Sequence, residues 1–187
     1  MTNGTLGDIV PVSGRGSREW VNGWLRRYPY LGALPGWRYA AALRKPENDL
    51  LWDGVVVVGT PASWVLASRD FLEVRRLALR PGAPKNAGSY LLGHVKRWAA
   101  RNGVPRLVSY ADPAARGPTN CPGNEHRGMV YVAAGFRSDG PSSDHSREKI
   151  SGSRAGRRGA AYLTGHLGPK LRFVWEAAPN RQDGGAP

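Results

Sequence analysis

The sequence predicts an α+β domain with a mixed, mostly antiparallel central sheet flanked by helices. Three observations predict it. Runs rich in valine and leucine, Leu51–Gly59 (LWDGVVVVG), Phe71–Leu79 (FLEVRRLAL) and Arg106–Ala111 (RLVSYA), end at turn residues and read as strands. Residues 86–102 place Tyr90, Leu91, His94, Val95, Trp98 and Ala99 on one side of a helix, which Asn102-Gly103 closes. The inferred order is strand, helix, three antiparallel strands, helix, strand, helix, strand.

Along the chain, residues 1 to about 7 form a lead-in and 8–12 (DIVPV) a short strand. Ser17 is the predicted N-cap of a helix on which Trp20, Trp24 and Tyr28 recur at helical spacing, a core-facing stripe. The segment 28–35 (YPYLGALP) is a turn-rich loop, 36–43 (GWRYAAAL) a strand and 45–49 (KPEND) a turn. A loop through 61–70 precedes the strand at Phe71, and Arg80-Pro-Gly-Ala-Pro84 ends that strand. After Ala111 comes a Pro/Gly-rich excursion, 113–124, then a short helix over 128–134, and Phe136 begins a strand or turn. Residues 139–159, rich in Ser, Gly, Arg and Asp without periodicity, read as a mobile basic loop. Leu171–Trp175 is the last strand. Residues 1–178 are read as one domain and 179–187 as a disordered tail.

Charge bounds the function. The 187 residues carry 27 Lys+Arg against 14 Asp+Glu, a net charge of +13, and 22 of the cations are arginine. A GC-rich genome explains arginine in place of lysine but not an excess of cations over acids. Arginine forks match phosphate oxygens, so the excess points to a nucleic-acid partner, double-stranded DNA in the first instance. The stretch from His145 to Arg172 concentrates it: Arg147, Lys149, Arg154, Arg157, Arg158, Lys170 and Arg172 against Glu148 alone. Interspersed Gly152, Gly156 and Gly159 suit a segment that folds onto a phosphate backbone. The single cysteine, Cys121, excludes an internal disulfide and a multi-cysteine zinc site. No apolar run approaches the ~20 residues needed to span a bilayer, and the opening MTNGTLGDIVPVS has no secretory pattern. A soluble, cytoplasmic protein without a membrane partner is expected.

Candidate chemistry gathers between Phe71 and Phe136. The turn into the long helix, Lys85, Asn86, Ala87, Gly88 and Ser89, offers a cation and small residues at a helix start, which can hold an anion or be an ordinary strand-to-helix turn. Simple alternation puts Glu73 and Arg75 on one face of their strand and Arg76 with Val74 on the other. Asp112 closes an apolar strand, either as a ligand group at the carboxyl edge of the sheet or as the first residue of a turn before Pro113. Tyr131 is either a proton donor or a half-buried helix aromatic. His126 can cap the short helix, contact phosphate or relay protons, and His94 reads as a core or flanking residue. No paired histidine spacing demands a metal.

Four stretches together resemble the Mom family of phage DNA-modification proteins, relatives of the GNAT acyltransferases: Glu73-Val-Arg-Arg-Leu77, Ala83-Pro-Lys-Asn86, Leu107-Val-Ser-Tyr-Ala-Asp112, and His126-Arg-Gly-Met-Val-Tyr131 with Gly135-Phe136. The matched stretch is about a third of the chain. The resemblance implies a GNAT-like sheet, with Arg76, Asp112 and Tyr131 at family active-site positions and Tyr30 in place of the tyrosine of an early His-Tyr motif. It also implies acetyl-CoA or another acyl-CoA as cofactor, iron as a second requirement, and the cytoplasm of an infected bacterium as the setting. The implied reaction adds a small acyl-derived group, of carbamoylmethyl or acetamido type, to the exocyclic amine of a DNA base, adenine first, and so blocks restriction. A dimer is compatible with it. Proline stands at 29 where that motif has histidine, residues 114–125 look like an insertion, and the pyrophosphate loop lacks the usual Q/R-x-x-G-x-G/A run. Two rival readings stay open: an N-acetyltransferase acting on a small-molecule, protein or hypermodified-base amine, and a non-enzymatic DNA-binding protein on a degenerate scaffold.

Overall fold

Strand-forming runs separated by turn residues assemble here into one sheet. The computed structural model describes residues 5–14, 16–27, 34–46, 48–61, 64–67, 70–111, 128–142 and 170–178. In chain order the elements are β1 (Ile9–Pro11), α1 (Ser17–Leu25), β2 (Tyr39–Lys45), β3 (Asn48–Gly59), α2 (Trp64–Ala67), β4 (Phe71–Leu79), α3 (Ala87–Arg101), β5 (Arg106–Ala111), α4 (Met129–Ala133), β6 (Arg137–Pro141) and β7 (Leu171–Glu176). The seven strands lie in the order β1-β2-β3-β4-β5-β7-β6. Every pairing is antiparallel except β4 with β5.

Each face of the sheet carries its own apolar cluster. On one, Leu91, Leu92, Val95 and Ala99 of α3 and Tyr131 of α4 pack on Leu43, Val56, Val58, Leu72, Val74 and Leu107. On the other, Val21, Trp24 and Leu25 of α1 cover Ala40, Ala42, Val55, Val57 and Ala78. β3 feeds both clusters from alternate residues, which is why its valines run without interruption. Gly54 lets α3 approach closely, because a Cβ there would lie 2.5 Å from Leu79 Cδ2 and 3.0 Å from Leu91 Cδ1. The Asn22 side chain clasps the backbone of Leu34 through two hydrogen bonds (2.9 and 2.8 Å), tying the chain back to α1.

Several expectations are corrected. Trp20 is 42% exposed, and the buried α1 stripe is Val21, Trp24 and Leu25. Gly16, with φ 90°, is the N-cap of α1, and Ser17 is its first helical residue, with Oγ bonded to Gly14 O at 2.7 Å. Tyr90 is exposed on α3, where the buried row is Ala87, Gly88, Leu91, Leu92, Val95 and Ala99. The loop before β4 contains the one-turn helix α2. β6 runs to Pro141, so the first three residues of the expected basic loop are strand, paired to β7.

Candidate active site

The site begins where the sheet comes apart. β4 and β5 pair at only three positions, Phe71 with Arg106, Leu72 with Leu107 and Glu73 with Val108. Beyond them β4 continues to Leu79 and β5 to Ala111, and among the described residues each pairs with a strand only on its far side, β3 and β7. The two strands therefore splay into a cleft. At its apex Ser109 Oγ donates to Val74 O at 3.4 Å, a side chain standing in where the ladder has stopped.

A β-bulge shapes β4 at the same level. Val58 pairs with Val74 and Val57 with Arg76, leaving Arg75 as the extra residue. Bulges insert one residue and re-aim those beyond it. Leu72 and Val74 belong to the α3-side cluster; past the bulge Leu77 and Leu79 pack on that side, and Ala78 joins the α1 side. Arg76 thus shares the α1 face with Ala78. Strict alternation had set Arg76 on the face of Val74, and the bulge overturns that expectation. Arg76 Nη1 turns back to donate to Arg75 O at 2.6 Å.

The α1 face of the splay carries a polar group of its own. Leu107 and Ala111 face α3, so Tyr110 projects to the opposite side, where its register partner on β7 is Arg172. Burial pushes the Tyr110 hydroxyl above its usual pKa; the carboxylates of Glu73 and Asp139 push the same way and Arg172 opposes them. Arg172 Nε lies 2.7 Å from Asp139 Oδ2, at an angle that makes an ion pair and not a hydrogen bond. Glu73, Tyr110, Asp139 and Arg172 are the residues that sequence reasoning missed as a group. Alternation along β5 sets Tyr110 on the face opposite α3, and the β5–β7 register brings Arg172 beside it.

At the open end of the cleft the chain enters α3. Asp53, 1% exposed, receives Arg80 Nε at 2.5 Å, and Arg80 N–H donates to Asp53 O at 2.9 Å. This double attachment fixes the start of the turn that the resemblance assigns to pyrophosphate. Ala87 N–H reaches Pro84 O and Tyr90 N–H reaches Asn86 O. Among the described residues the amides of Gly88 and Ser89 are left as the orphan donors of the first turn, with no capping side chain and no acid in that turn. Lys85 and Asn86 are exposed beside them, and Ala87 and Gly88 are buried. Gly88 also seats α4, since a Cβ there would lie 2.7 Å from Val130 Cγ2.

Tyr131 sits on α4 and is 4% exposed, its ring 5.3 Å from that of Phe173 and 5.9 Å from that of Phe136. Gly128, at φ 74°, brings the chain against the Phe173 ring to start this helix, and Lys96 Nζ closes it by donating to Ala134 O at 2.7 Å. The structure thus sets Arg76 on the wall of the splay and residues 85–89 at its open end, with Tyr131 on the helix packed against that end. Tyr30, Asp112, His126, Arg147, Lys149, Arg154, Arg157 and Arg158 lie outside the described residues; Asp112 directly follows the end of β5. Among the described residues no three His, Cys, Asp or Glu side chains group to hold a metal, so the iron implied by the resemblance finds no ligand set there. No described helix is long and apolar enough to cross a membrane.

This architecture is that of solved acetyltransferases. The chain resembles the aminoglycoside 6′-N-acetyltransferase of Enterococcus faecium with a TM-score of 0.60 and 15% identity, over 92% of this chain and 98% of that one. It resembles a Bacillus subtilis acetyltransferase, crystallised with CoA, with a TM-score of 0.53 and 13% identity, over 93% and 100%. Likeness at these identities shows the fold, which is GNAT-like. No curated protein matches the chain. The Mom protein family matches residues 54–161, more than half the chain and all of the splay from β4 to β6. By that match the chain belongs to the Mom protein family.

Proposed function

We propose that the protein is an acyl-CoA-dependent transferase that modifies the exocyclic amine of a DNA base, adenine first, and thereby protects phage DNA from restriction. The observation that carries the acyl-transfer half is the three-residue β4–β5 pairing that opens toward an uncapped α3 N-terminus. Family membership and the +13 net charge support the DNA half.

The roles follow from the chemistry of each group. A bound acyl-CoA supplies the activated acyl carbon. Gly88 and Ser89 amides at the positive end of α3, with Lys85 beside them, receive its phosphates. The unpaired edge of β4 offers strand-like hydrogen bonds to an extended chain laid in the cleft. The target base leaves the duplex stack to reach a pocket at the splay. There Asp112 would orient the exocyclic amine and hold the proton it gives up. With acyl-CoA bound, Arg76 would present a cation to the acyl oxygen, and Tyr131 would hold a proton for the thiol sulfur. Glu73 and Tyr110 line the acceptor side. Arg147, Lys149, Arg154, Arg157 and Arg158 hold the phosphate backbone without choosing sequence. Acetylation of a polycationic amine such as an aminoglycoside is the weaker reading, because a chain of this charge repels that substrate.

Expression in bacteria, digestion of host DNA to nucleosides and mass spectrometry test the proposal. A new adducted nucleoside is expected, absent with Asp112→Ala and Tyr131→Phe, while both variants keep DNA affinity. Its mass identifies the base and the group. Unmodified DNA from well-folded protein, or adducts that persist in both variants, would overturn the assignment.

A further inference from the structure

A cavity of about 330 Å³ opens beside the C-terminal half of α3, lined by Pro11, Tyr39, His94, Trp98, Arg101 and Asn102. It lies at the opposite end of the helix from the splay, with β1 and β2 as one wall and α3 as the other. Three of its rings are nearly parallel. Tyr39 stacks on Trp98 with 4.2 Å between centroids and 11° between planes, and lies 6.1 Å and 14° from His94. Tyr39 Oη and His94 Nε2 are 2.6 Å apart, a hydrogen bond that fixes both rings.

The pocket is uncharged at its centre and cationic at its rim. Burial holds the His94 pKa below its usual value, with Arg97 and Arg101 adding to the effect, and burial holds that of Tyr39 above its own against the pull of Arg101. Neither ring is therefore charged near neutral pH. Arg101 lines the cavity and Arg97 stands one turn earlier, both exposed. Four arginines face carboxylates: Arg80 meets Asp53, Arg106 and Arg137 meet Glu176, and Arg172 meets Asp139. Among the described residues Arg97 and Arg101 have no acidic partner, and no carboxylate lines the cavity. The Asn102 amide donates to Trp98 O at 2.8 Å, and the guanidiniums are the charged donors at the rim. Arg101 offsets the negative end of the helix dipole, but Arg97 lies beyond the last turn, where that effect has faded.

We propose that this cavity binds a nucleotide, with the base against the half-exposed Tyr39 and Trp98 rings and the phosphate on Arg97 and Arg101. Guanidinium forks match phosphate oxygens, and flat aromatic rings take any base by stacking. The volume lies at the lower end of ligand pockets, about 300–1,000 Å³, and suits one nucleotide. The nucleotide is either free or part of a nucleic-acid strand.

NMR of the His94 ring in the full chain tests this, with 5′-dAMP, deoxyadenosine, inorganic phosphate and a short single-stranded oligodeoxynucleotide as probes. Saturable shifts with 5′-dAMP are expected, with deoxyadenosine and phosphate weaker by at least about tenfold, a difference of about 1.4 kcal/mol. The doubly exposed variant Arg97→Ala/Arg101→Ala should fold and lose about as much affinity. Tighter binding of the oligodeoxynucleotide than of 5′-dAMP assigns the site to a strand, and equal or weaker binding to a free nucleotide. No shift with either phosphate-bearing nucleic probe overturns the proposal. So does unchanged nucleotide binding in a variant that merely loses stability, which would leave the arginines to the helix dipole. The readout involves neither CoA nor base modification, so its failure is separate from failure of the proposed reaction.

Discussion

The two ends of α3 are built on opposite electrostatic plans. At the N-terminal end Arg80 is neutralised by a buried carboxylate, and the phosphate site we propose rests on the backbone amides of Gly88 and Ser89 with Lys85 beside them. At the C-terminal end the helix dipole is negative, and it is opposed by two exposed guanidiniums without an acidic partner among the described residues. One helix thus carries two proposed anion sites, one resting mainly on main chain and one on side chains, and the two should respond differently to substitution.

The largest expected effect is at the N-terminal pole. Arg80→Ala leaves the Asp53 carboxylate buried without a counter-charge, which costs about 3–5 kcal/mol, while Asp53→Asn costs less because Arg80, one-third exposed, turns to water. Denaturant unfolding of both variants checks this, and equal small losses would show that the ion pair does not pin the turn. Next is Gly88→Val, which drives a branched side chain into Val130 and should cost about 1–3 kcal/mol. It should also weaken CoA binding measured by calorimetry, whereas His94 shifts at the other pole stay as in the parent.

The smallest effect is at the C-terminal pole. The folded protein keeps His94 neutral to lower pH than the unfolded chain does, since burial depresses its pKa from 6.5. Its contribution to stability is then complete above about pH 6.5 and is lost as pH falls through the folded value. His94→Gln keeps a partner for Tyr39 but does not titrate. The difference in stability between parent and variant should therefore shrink from pH 7.5 to 5.5, and a constant difference would refute the linkage.

Much of this was legible in the sequence because the elements are locally consistent. β4 and β5 have the boundaries that their apolar runs predict, and α3 is within one residue at each end. What escaped was non-local. The bulge at Arg75 leaves no glycine in the sequence to mark it, so the face of Arg76 was misassigned. Asp53 looked like one acid in a valine run, and its partner is 27 residues away. Trp20 has the spacing of a core residue, yet Val21 and Leu25 already fill that side of α1. For the candidate site, chain order alone put a helix start after β4 and a short helix after β5, but the grouping of Tyr110 with Arg172 and Asp139 depends on β7 inserting between β5 and β6.

That insertion also fixes where the chain leaves the sheet and where it returns. β6 and β7 form a hairpin whose mouth is closed by Ser142 N–H to Lys170 O at 2.6 Å and Lys170 N–H to Ser142 Oγ at 3.0 Å. The arginine-rich stretch 143–169 is thereby bracketed at a single point beside the splay. Whatever lies between is thus held at both ends by one point of the sheet, and a change of length there is expected to leave the β5–β7–β6 register intact, which denaturant unfolding of a shortened variant checks.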